Sequence, residues 1–146
     1  SIPNIKNSIT KVKKSGIFVV QAGYEYPIDY EIDFLVVSKD EIDVIEAENL
    51  LNNDLVSRIL LTHSNLPARL ISKEGAVEIT PPDFKTINAT GAGDVTAAYI
   101  AANGVGDIIS TIKSACAAGA ILAGTTELPT LEKISEISEL VDVTPR

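Results

Sequence analysis

Residues 88–104, NATGAGDVTAAYIAANG, set a turn of small residues and one carboxylate, Asp94, directly ahead of an alanine-rich helical run. Gly91, Ala92 and Gly93 leave the backbone uncovered. The first N–H groups of a helix lack intrahelical acceptors, so they stand as donors for a bound anion, and a phosphate suits them. Asp94 falls in the same first turn, where the helix dipole favours an ionised carboxylate able to accept a proton. A base beside an anion cradle is what phosphoryl transfer requires: the base orients and deprotonates an alcohol while the donors stabilise charge on the transferring oxygens. The same residues have a plainer reading, with Asp94 a favourable first-turn acid and the glycines serving a tight turn.

The elements that must position this turn are legible from periodicity. Ile2, Ile5, Ile9 and Val12 recur at helical intervals before a lysine-rich end and Gly16. IFVVQAG, FLVVS and RILLTHS are short apolar runs rich in branched side chains, which predicts buried strands near 17–22, 33–38 and 58–63. Between the last two, Ile42, Ile45, Leu50 and Leu51 predict an acidic helix with one buried stripe. ARLISKEGAVEITPP predicts a hairpin near 69–80, turning at Lys73-Glu74-Gly75 and stopped by Pro81 and Pro82. Helices follow: one over 92–102 ending at Asn103-Gly104, a second capped by Asp107, and a third opened by Thr130. The order predicts an α/β fold: one three-layer unit over 1–146, its sheet mostly parallel and flanked by helices, with a hairpin before the GAGD helix.

Composition limits the partners. Hydrophobic residues make up 45% and charged residues 22%, a globular balance. A net charge of −8 and a pI near 4.6 argue against nucleic acid or an anionic membrane surface as partner. The single cysteine, Cys116, has no internal disulfide partner. No apolar run is expected to span a membrane, and residues 1–20 lack the pattern of a signal peptide, so a soluble cytoplasmic protein is expected.

The 88–104 stretch, followed by an alanine-rich helix and LPTLEKI, resembles the C-terminal region of the ribokinase-like (PfkB) carbohydrate kinases, whose signature is close to D-T-x-G-A-G-D. The element order before it is similar as well, so the likeness covers essentially the whole chain. The resemblance implies ATP-dependent phosphorylation of a sugar or nucleoside hydroxyl, with magnesium on the nucleotide. It implies that Asp94 is the catalytic base and that Thr90, Gly91, Ala92 and Gly93 bind the nucleotide, the last three as an anion hole for its terminal phosphate. It also implies an adenine pocket near SACAAGAILAG, whose small residues serve helix packing equally well.

Several positions depart from that family's pattern. Where N-x-x-E is common at the start of the acidic helix, SKDEID offers Asp40 and Asp43 as metal candidates; Asp40, Glu41 and Asp43 also read as a solvated helix start. Asn88 replaces an acid at the start of the signature, so no potassium site is expected. THSNLPAR replaces a glycine-containing turn, which alters the expected nucleotide contacts from Thr62 to Asn65. His63 reads as a strand-end residue without a catalytic partner, and Cys116 as a small buried side chain. The resemblance implies that the family's N-terminal half, with most sugar contacts and a lid, is expected to lie outside these 146 residues. The expected partners are therefore a sugar or nucleoside and either that missing half or a second copy of the chain. A nucleotide-binding half-domain without activity of its own is the alternative.

Overall fold

The computed structural model describes residues 2–64, 66–83, 85–104 and 106–145 of the chain. The expected contact at Asn65 therefore lies outside the described residues, as do the first and last positions of the expected 1–146 unit.

Helix α1, Ile2–Lys14, leads into strand β1, Val20–Ala22, and β2, Ile32–Ser38. Helix α2, Val44–Asn52, crosses to β3, Val56–His63. Two tight reversals then give β4, Leu66–Ser72, and β5, Gly75–Thr80. Helices α3, Ala92–Asn103, α4, Ile108–Thr125, and α5, Leu131–Ser138, precede β6, Asp142–Pro145.

Among the described residues these strands form one six-stranded sheet in sequential order. The β1–β2 and β2–β3 pairs are parallel, with Phe34 opposite Val20 and Arg58, while β3–β4, β4–β5 and β5–β6 are antiparallel. The expected mostly parallel sheet is thus mixed. For β3–β4 and β4–β5 the physical reason is connection length: a parallel pair needs a crossover, and the chain between these strands is too short to make one; β6 returns antiparallel to β5 after the three helices. The first reversal places Ser64 in the left-handed region at φ 54°. The β3–β4 register shifts between Leu61 and His63, near Pro67, which has no N–H to give the ladder.

Alternation along the strands assigns the two faces. Phe34, Val36, Leu60, Ala68, Leu70 and Ile79 pack with α3, α4 and α5 on one side. Leu35, Val37, Ile59, Leu61 and Ile71 pack with α2 on the other, joined by Ile9 of α1. Three layers result, as the period-two pattern of the apolar runs requires.

Side-chain burial corrects two expected stripes. In α2 the buried residues are Ala47, Leu50 and Leu51, spaced three and four apart, whereas Ile45 falls off that face and is 71% exposed. In α1 Ile9 of the expected stripe is partly buried while Ile5 and Val12 are exposed, and ion pairs Lys6–Asp29 and Lys13–Asp33 tie the helix to the body. Helix α4 is, against expectation, long and apolar enough to cross a membrane by length and composition. Its Ile112, Ala115, Ala117, Ala118 and Ile121 are instead buried in the core against the sheet and its neighbouring helices.

Candidate active site

A cavity of about 610 Å³ lies at the carboxyl ends of the parallel strands, where open α/β sheets generally hold ligands. Its volume is that of a small-molecule site. Ala22, Ser38 and Thr62 contribute the strand ends, the start of α3 contributes Gly91 to Asp94, and Cys116, Gly119, Ala120 and Ala123 present one stripe of α4.

The signature turn is built from internal hydrogen bonds. Asn88 Oδ1 accepts the Thr90 N–H at 2.9 Å, and Ala89 O accepts the Ala92 N–H at 3.1 Å. Gly91 then adopts φ +82°, a conformation that costs any residue with a Cβ, and caps α3 without a side-chain hydrogen bond. Among the described residues, the N–H groups of Gly91, Gly93 and Asp94 have no acceptor. The donor set offered to an anion is therefore Gly91, Gly93 and Asp94, with the Ala92 N–H occupied within the turn. Thr90 is exposed beside the cavity, its N–H engaged and its side chain off the wall. Asp94 is exposed in the first turn and lines the cavity.

The two metal candidates are separated. Asp40 lines the cavity; Asp43 caps α2, its Oδ1 accepting the Glu46 N–H at 2.8 Å, and faces a different, shallower pocket. Glu41 joins Asp40 instead, its Oε2 held by the Ser38 N–H at 2.8 Å. The sequence carried a signal for it, because Glu41 stands three residues after Ser38, the spacing of N-x-x-E itself. Among the described residues no three His, Cys, Asp or Glu side chains cluster tightly enough to hold a metal alone.

Small residues of α4 allow close helix packing, and Gly119 both does so and lines the cavity. A Cβ at Gly119 would stand 2.5 Å from Thr96 Oγ1 and 3.1 Å from Ala92 O, so glycine lets α4 lie against the first turn of α3. Cys116 is half-buried and lines the cavity, and desolvation pushes its thiol pKa up, which favours the protonated form. His63 ends β3 and is absent from the cavity wall.

The pfkB carbohydrate kinase family model matches residues 21–132. The chain belongs to the pfkB family of carbohydrate kinases. Solved structures agree on the fold of this pfkB chain. Phosphofructokinase-2 from Escherichia coli in complex with substrates and products superposes with a TM-score of 0.75 at 15% identity, over 95% of this chain and 52% of that one. A microbiome-derived acarbose kinase gives 0.78 at 16% identity, over 92% and 52%. A Staphylococcus aureus protein assigned as a phosphofructokinase gives 0.74 at 22% identity, over 91% and 49%. At these identities the likeness establishes the fold, and the chain spans about half the length of the structures it matches. A comparison with curated proteins finds no significant match.

Proposed function

We propose that this pfkB chain supplies the nucleotide half of an ATP-dependent kinase that phosphorylates a sugar or nucleoside hydroxyl. The observation that carries the reading is the turn at the start of α3, where three unengaged N–H groups and one exposed carboxylate meet on the wall of a ligand-sized cavity. The N–H groups of Gly91, Gly93 and Asp94 would bind the terminal phosphate, helped by the helix dipole. The Asp94 carboxylate would take the proton of the attacking hydroxyl as its oxygen bonds to phosphorus and the bond to ADP breaks. The stripe from Cys116 to Ala123 offers a flat apolar wall for the base.

The donor chemistry fits magnesium brought in on the phosphates. Asp40 and Glu41 would supply hard oxygen ligands, and magnesium takes one or two carboxylates plus phosphate oxygens and water. When bound, the ion neutralises phosphate charge. A cytoplasmic setting, with ATP at hand, accompanies this reading.

Half-length coverage of the matched kinases favours a second polypeptide segment, or a second copy, completing the site. Among the described residues strand β1 pairs on one side only, and Ile5, Val12 and Ile17 in the preceding segment are exposed. The same coverage supports the alternative of a nucleotide-binding module without activity of its own. Titrating ATP and magnesium while following backbone amide shifts tests the common element. Gly91, Gly93 and Asp94 should move first, and shifts confined to residues 1–50 would reject the site.

A further inference from the structure

The signature turn is held from two sides, by the Asn88 side chain and by the main-chain N–H groups of Ile87 and Asn88. Its Oδ1 accepts the Thr90 N–H at 2.9 Å. Its main-chain N–H donates to Ala123 O at 3.0 Å, beside the Ile87 N–H, which donates to the same oxygen at 2.8 Å. Ala123 lies in the last turn of α4, where carbonyls lack intrahelical donors, so the two N–H groups satisfy an orphan acceptor and fix the turn to that helix. The Thr90 and Ala92 N–H groups are both engaged within the turn, leaving those of Gly91, Gly93 and Asp94 unengaged.

We infer that Asn88 is a positioning residue that selects the phosphate-binding donors: by tying up the Thr90 N–H with its side chain, beside the main-chain anchor of Ile87 and Asn88 to α4, it holds Gly91 in its left-handed conformation and leaves the next donors open to the cavity. The inference rests on the reading of this turn as a phosphate cradle. A side chain that bonds the backbone two residues on is the usual means of fixing such a turn. An amide does so without charge, whereas a carboxylate making the same hydrogen bond would set a negative charge near the phosphates.

The test compares the wild-type chain with Asn88→Ala and Asn88→Asp. Thr90 amide exchange is read without ligand, and ATP–magnesium affinity is read from the shifts of Gly91 and Gly93. In Asn88→Ala, Thr90 should exchange at least about fivefold faster and ATP should bind roughly five- to tenfold more weakly, the size expected for one lost hydrogen bond. Exchange of Leu35 and Leu60 should stay slow, as a general loss of structure would not allow. Asn88→Asp should keep Thr90 protected and weaken ATP binding in a manner relieved by salt. It also covers the case in which the alanine variant does not fold.

Unchanged Thr90 exchange, or wild-type affinity in a folded Asn88→Ala chain, overturns the inference. An ATP titration that leaves the wild-type turn unmoved overturns the cradle instead, while Thr90 exchange still decides whether Asn88 organises the turn.

Discussion

Helices α2 and α3 both begin with an acid nearby and use it in opposite ways. Asp43 closes α2, accepting the Glu46 N–H, and Asp107 and Thr130 close α4 and α5 similarly. Helix α3 has no such cap: its preceding residue is left-handed Gly91, and Asp94 stands exposed one turn in. A cap stabilises a helix by about 1 kcal/mol, so the start of α3 forgoes a stabilisation that its neighbours take. Gly91, Gly93 and Asp94 line the cavity together, and in the proposed reading this juxtaposition separates a helix start built to bind from one that only begins a helix.

The sharpest way to break the comparison is Asp94→Asn in the completed enzyme. Removal of the proton acceptor should lower turnover by about 10²-fold or more, with ATP affinity retained or improved and folding unaffected. Full turnover in an active preparation would return Asp94 to the standing of an ordinary first-turn acid.

Substitutions at the two glycines should divide along stability and binding. Gly91→Ala forces a Cβ into φ +82° and should cost about 1–2 kcal/mol in denaturant unfolding, although its nearest neighbour, Leu122 Cδ2 at 3.5 Å, leaves room. Gly93→Ala meets nothing within 4 Å, so stability should hold or rise slightly while ATP affinity falls as the methyl crowds the donors. Equal losses of stability in both variants would erase the distinction.

The smallest effect is expected at the closed helix. Asp43→Ala should lower stability by about 1 kcal/mol, through loss of the cap, and leave ATP–magnesium binding unchanged. A change in magnesium dependence would show instead that Asp43 reaches the nucleotide site.

Much of this was legible in the sequence because burial imposes a period. FLVVS and RILLTHS announce buried strands, and Asp107 and Thr130 announce helix starts, since side-chain type and local geometry coincide there. Asp40, Glu41 and Asp43 were only partly separable: Glu41 has the N-x-x-E spacing from Ser38, but the folded chain decides which acid caps and which ones line a wall. The β3–β4 reversal was hidden because Ser64 takes a left-handed conformation usually signalled by glycine. Strand β6 was missed because four residues ending in proline resemble a tail, and only pairing with β5 makes them a strand.

That terminal strand carries a consequence for the order of folding. The β3–β4–β5 reversals are local and can pair early, whereas Val143 meets Ile79 only after the chain has passed through α3, α4 and α5. Closing so long a loop is entropically unfavourable until the helices dock and shorten the path. Strand β6, at the edge of the sheet beside β5, is therefore expected to pair last. Hydrogen exchange at Val143 should report when the helical layer has assembled.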